Sequence, residues 1–189
     1  MTFDIVQMIY WLLLSAWFGL VLFGAMAGPV ILRTVQDADP TLPTVLSVNL
    51  DGQHGVLLAM TINAQVLTRL LWIQLVCAGG LLLAIALQWF IGSRTESAVV
   101  MNALRTAIYL AAVGLLIYGW RSVWPRMAVQ RQAYIDNADD PEVALPARDQ
   151  LTKLYREAEI VQLALATVLS ALILFSTSMQ RTVVYTTAS

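Results

Sequence analysis

LLWIQLVCAGGLLLAIALQWFIGS, residues 70–93, carries no charged side chain and is closed by Arg69 on one side and Arg94 on the other. Its 24 residues make about 36 Å of α-helix, against about 30 Å of bilayer hydrocarbon. An apolar run of that length between arginines predicts a transmembrane helix. Three more runs share the pattern. Residues 5–32 are uncharged for 28 positions and residues 160–180 for 21. The remaining run, 106–120, has only 15 residues between Arg105 and Arg121. It reaches spanning length if Arg105 snorkels to the interface and the helix starts near Ala98, giving a span at 98–120.

Composition agrees. Of 189 residues, 59% are hydrophobic and 12% charged, where soluble domains have about 25% charged residues. Mean hydropathy is +0.71. Such a chain cannot clothe a soluble globule, and it is too apolar to be disordered. Eleven basic against twelve acidic residues leave no excess for nucleic acid. One cysteine, Cys77, excludes a disulfide scaffold, and its apolar neighbours mark it as a packing residue. The expected fold is all-α: one integral membrane domain, residues 1–189, of four transmembrane helices with cytoplasmic helical extensions. Ala25-Met26-Ala27 matches a signal cleavage pattern. However, the segment before it carries Asp4 and no basic residue, and the apolar run is too long, so a retained helix is expected.

Basic residues set the expected orientation. Loops 33–69 and 121–159 hold Arg33, Arg69, Arg121, Arg126, Arg131, Arg148, Lys153 and Arg156; the other side holds Arg94, Arg105 and Arg181. The positive-inside rule then puts both loops in the cytoplasm and the termini outside. Tyr10, Trp11, Trp72, Trp89, Phe90, Tyr118, Trp120 and Trp124 lie near span ends, where amphipathic rings prefer to sit.

The loops are partly helical. Residues from about Gly55 to Trp89 read as one helix that begins below the membrane, and 44–50 as a short interfacial helix. The third helix runs on past Pro125 toward Tyr134 with a kink at the proline. Asp136 to Pro146 reads as an acidic, proline-containing loop, and the fourth helix as starting near Arg148, with Asp149–Lys153 and Lys153–Glu157 pairs along it.

Candidates for chemistry are few. His54 is the single histidine. With Asp51 it could begin a metal or haem site, but one histidine, one remote cysteine and a loop aspartate do not complete a zinc set, and two-histidine haem ligation is excluded. A histidine at a helix start is the plainer reading. Asp136, Asp139, Asp140 and Glu142 lack calcium-loop spacing and read as a solvated face. Glu157 and Glu159 precede the fourth span and are expected to pair with Arg156 and Lys153 rather than enter the bilayer. Gln65, Arg69 and Gln74 form a polar series that could line a groove for an anionic substrate or headgroup. The alternative is interfacial exposure plus one interhelical hydrogen bond from Gln74.

Small residues recur four apart in every span: Gly24 and Gly28, Gly80 and Ala84, Ala107 and Ala111, Ala166 and Ser170. They predict close helix approach. No nucleophile–base pair is legible, so no enzyme and no cofactor is expected. The expected partners are the lipid bilayer and other membrane subunits or further copies of the chain. The leading reading is an accessory or scaffold subunit. The alternatives are a small oligomeric transporter with its groove near Arg69, and a cofactor anchor through His54.

Several motifs carry a resemblance. The first span has Trp17-Phe18-Gly19, Phe23-Gly24 and Gly28-Pro29-Val30-Ile31-Leu32-Arg33. Trp124-Pro125-Arg126 follows the third, and Leu154-Tyr155-Arg156 precedes the fourth. This resembles the bacterial four-helix membrane family known as domain of unknown function 4149, related to the animal transmembrane protein 205. There a Trp-x-Gly-Gly and a Pro-x-Leu/Phe-x-Arg fill the first helix, a Trp-Pro follows the third, and a Leu-His precedes the fourth. Here Leu20 replaces the second glycine and Tyr155 the histidine. The resemblance implies a four-helix architecture in the bacterial inner membrane. It implies no chemistry.

Overall fold

The computed structural model describes residues 2–38, 54–91, 96–137 and 141–186, and all of its regular elements are helical. In chain order they are α1 (Thr2–Asp37), α2 (His54–Ile91), α3 (Glu96–Tyr118), a π-helical turn (Gly119–Val123), α4 (Trp124–Asp136) and α5 (Pro141–Thr186). Four stretches are long and apolar enough to cross a membrane: Phe3–Val35, Leu58–Ile91, Val99–Asp136 and Leu145–Thr177. The interfacial helix expected at 44–50 lies outside the described residues.

Local sequence accounts for most of the boundaries. Asp4 in the first turn of α1 complements the positive end of the helix dipole. Pro29 sits inside α1 and removes one backbone hydrogen bond, to the Ala25 carbonyl. The expected single helix from Gly55 to Trp89 is α2. Past α3 the chain stays helical to Asp136, as expected, and the backbone accommodates Pro125 in a specific way. Trp124 N–H bonds the Gly119 carbonyl five residues back, widening the turn just ahead of the proline. A proline ring collides with the carbonyl four residues before it, here that of Arg121, and a π turn relieves this. α4 ends where Asn137 bonds the Ala133 carbonyl through both its backbone and its side-chain nitrogen, at 3.2 and 2.9 Å.

The start of α5 corrects the expectation of a loop to Pro146 and a helix from Arg148. α5 begins at Pro141, about two turns earlier. Proline is favoured at the first helical position, where its missing N–H costs nothing. Glu142 suits the first turn. Pro146, inside the helix, gives up a single bond.

The helices contribute to two compact units. The first comprises described residues of 1–22, 72–116 and 163–189; the second comprises those of 23–71 and 117–162. The first unit buries one stripe per helix at three- and four-residue steps: Val6, Tyr10, Leu14, Trp17 and Val21 of α1; Gln74, Ala78, Leu81, Ile85 and Gln88 of α2; Arg105, Tyr109, Ala112 and Leu116 of α3; Leu165, Leu169, Leu172 and Ser176 of α5. The second unit packs Val123, Met127, Leu151 and Leu154 together, with Met60, Trp124, Tyr155 and Ala158 against them. Outside the stripes, large apolar side chains face outward, among them Leu12, Val76, Leu83, Phe90, Leu163 and Leu174.

Small residues mark the closest approaches. A Cβ on Gly80 would stand 2.8 Å from Leu13 Cδ1 in the first unit. In the second unit, one on Gly28 would meet Asn63 at 3.4 Å, and one on Gly24 would meet Leu67 and Leu70 at 3.6 Å. Ala84 is buried. Ala107 and Ala111, expected at a helix contact, are exposed. They lie opposite the buried stripe of α3 that starts at Arg105. Ala166 and Ser170 are half-buried, and Ser170 Oγ donates to the Ala166 carbonyl of its own helix at 2.8 Å.

Candidate functional site

Apart from Gln74 of α2 and Tyr109 of α3, the inward stripes of the first unit carry their polar groups toward one end, where each helix contributes at least one. Tyr10 of α1 and Ser176 of α5 share a hydrogen bond of 2.8 Å between their buried hydroxyls. Gln88 Nε2 of α2 donates to Gln7 Oε1 of α1 at 2.8 Å. Arg105 of α3 lies with its guanidinium carbon 5.1 Å from the Tyr10 ring centroid. Next to it in sequence, Thr106 accepts from Trp89 Nε1 of α2 at 3.2 Å. Further along the helices, Tyr109 donates to the Ala78 carbonyl at 2.7 Å and stands edge-on to Trp17, centroids 6.3 Å apart.

Arg105 was expected to snorkel to the interface. Instead it is 4% exposed. Its place on the stripe explains this: Arg105, Tyr109, Ala112 and Leu116 follow one helical face, so the side chain leaves α3 toward the other helices. Its Nε and Nη2 have no hydrogen-bond partner among the described residues. Burying an ion costs several kcal/mol, and a cation–π contact offsets at most about 2 kcal/mol of that. The charge is therefore undercompensated by the described groups around it. Gln74 Oε1, Gln88 Oε1 and Trp17 Nε1 are likewise buried and unpaired among the described residues. Among the described residues, the interior of this unit thus holds one cation with two unpaired donor nitrogens, one further unpaired donor and two unpaired acceptors.

The residues expected to line a groove do not share one environment. Gln65 and Arg69 are exposed on α2, and Gln74 is 1% exposed. His54 is the first residue of α2; Asp51, Asp139 and Asp140 lie outside the described residues. Glu159 is exposed. Glu157 pairs across helices in the second unit, rather than with the expected Lys153 or Arg156. Its Oε1 accepts from Tyr118 at 2.6 Å and from Arg126 Nη2 at 2.9 Å. Arg126 Nε also donates to the Ser122 carbonyl at 2.7 Å, within the π turn. This cluster is solvent-facing, with Arg126 half exposed, so it contributes at most about 1 kcal/mol.

The sequence signal for the buried centre was the spacing of Arg105 from Tyr109, four residues. It puts a cation on the face that carries the aromatic ring. Comparison of the chain with protein-family models, with curated proteins and with solved structures finds no match.

Proposed function

We propose that this chain is a multi-pass protein of the bacterial inner membrane that acts without catalysis, as an accessory or scaffold subunit of a larger membrane assembly. One observation supports this best. Large apolar side chains cover the outward faces of helices long enough to span a bilayer, while the polar groups of the first unit bond helix to helix. Tyr10–Ser176 and Gln7–Gln88 tie α1 to α5 and to α2, which is the use polar residues find between helices in lipid. Residues 33–69 and 121–159 face the cytoplasm in this reading, following the positive-inside rule. Membership of the four-helix family whose motifs it resembles belongs to the same proposal.

Native mass spectrometry of protein extracted gently from its own membranes tests it. Masses above 20.8 kDa with other polypeptides attached are the expected result. A bare monomer or homo-oligomer overturns the subunit reading. It would favour the second reading, a small ligand-binding or permeation protein. Undercompensated Arg105 supports that second reading, and it moves the centre of interest from Arg69 to Arg105.

A further inference from the structure

Arg69 and Gln65 stand on the outward face of α2 in the second unit, where a ligand needs no cavity to reach them. Both side chains are exposed. Four residues apart, they are neighbours on one helix face. Neither has a hydrogen bond or ion pair among the described residues, and α2 carries no acidic residue along its length. Contacts inside the unit fix their height. A Cβ on Gly24 would meet Leu67 and Leu70 at 3.6 Å and Gln162 at 3.8 Å, so these residues share a level. Arg69 falls between Leu67 and Leu70, and the apolar run of α5 begins at Ile160, just before Gln162. The Arg69 backbone is therefore about 3 Å inside the edge of the apolar belt. Met60 packs against the cluster of Leu151 and Leu154, so α2 and α5 run in the same direction. The Arg69 side chain leans toward the start of its helix, past Gln65 and out toward that edge. Around this level the unit shows apolar side chains outward, Phe23 and Met26 of α1 and Ile160 of α5. An arginine in that setting faces lipid, and the opposite charge that a lipid offers is its phosphate.

We propose that Arg69 and Gln65 hold the headgroup phosphate of one anionic phospholipid against the outward face of α2. The guanidinium takes two phosphate oxygens through paired N–H donors, and the Gln65 amide donates to another. Gln74, on the inward stripe, has no part in the site. The inference rests on the membrane reading of the chain, and it holds whether the chain is a subunit or a permeation protein.

The test puts the full chain into nanodiscs of phosphatidylglycerol and phosphatidylcholine in equal amounts. Native mass spectrometry then counts the lipid that stays bound on release. Wild type is expected to retain one phosphatidylglycerol, in about fivefold preference over phosphatidylcholine. Arg69→Gln is expected to lose that preference. Arg69→Lys keeps the charge without the paired donors, and Gln65→Leu keeps the arginine without the amide. Both are expected to retain less lipid while the preference survives, because the two lipids share the phosphate and differ in net charge. Arg33→Gln is the control. It removes the same charge nine residues past Gly24 on α1, about 14 Å away along the axis, and is expected to change neither quantity. Equal preference in wild type and Arg69→Gln overturns the proposal. So does a loss in Arg33→Gln as large as that in Arg69→Gln, because diffuse charge then accounts for the lipid. A wild-type chain that does not enter the nanodiscs is a separate result, which overturns the membrane reading itself and the proposal with it.

Discussion

The Tyr10 and Ser176 hydroxyls, 2.8 Å apart and both buried, bond each other. Removing either alone strands the other, whereas removing both leaves two apolar groups of similar shape. A double-mutant cycle of Tyr10→Phe and Ser176→Ala is therefore expected to show a coupling of about 1 kcal/mol, with the double variant milder than the sum. Simple additivity in thermal unfolding contradicts the pairing. The glycines divide in the same way. Alanine at Gly80 meets Leu13 Cδ1 at 2.8 Å, while alanine at Gly24 meets its neighbours at 3.6 Å. Gly80→Ala is expected to cost about 1 kcal/mol after the alanine gain in helix propensity is subtracted, because Leu13 must move. Gly24→Ala is expected to be neutral or to stabilise by up to about 1 kcal/mol. A reversed order in their melting temperatures contradicts the packing at Gly80. None of this is legible in the sequence, where the glycines look alike; it needs the positions of Leu13 and Leu67.

Elements were legible where length and apolar content decide them, and less so where proline does. The runs at 5–32, 70–93 and 160–180 announce α1, α2 and α5 because no other structure satisfies so many backbone groups in an apolar setting. Prolines carry a double meaning. Pro141 begins α5 and Pro146 lies inside it, yet both look like loop markers on paper. Arg105 misled for a related reason: an arginine at the edge of an apolar run usually reaches outward, and only its register with Tyr109 says otherwise. Pro125 leads to a test. With alanine there, the residue regains an N–H for the Arg121 carbonyl, and the π turn of Gly119–Val123 can relax to α. Removing the extra residue of the bulge turns α4 by about 100° against its present phase. Arg126 then swings away from Glu157, now 2.9 Å distant. Cysteines at 126 and 157, in a Cys77→Ser background, are expected to be cross-linked by a short bifunctional maleimide with Pro125 present, and poorly in Pro125→Ala. Equal cross-linking in both would falsify the link between proline and bulge.

Over the whole molecule the proposed orientation makes a direct prediction. Asp149→Cys in a Cys77→Ser background is expected to resist a membrane-impermeant maleimide in intact cells and to react once the membrane is opened. Prompt labelling of intact cells reverses the assignment. The chain also distributes its helices in a way that bears on its synthesis. Four helices cross a unit boundary, α1, α2, α3 and α5, and both compact units need residues of α1 and of α5. No single cut in the chain separates them. Tyr10 meets Ser176 166 residues later, on the order of 10 to 30 s at ribosomal speed. Until then the ring beneath Arg105 has no clasp, and neither unit can finish assembling on the ribosome. The nascent chain must be sheltered through almost its entire translation, and a ribosome that stalls before α5 leaves a product with no completed part for quality control to spare.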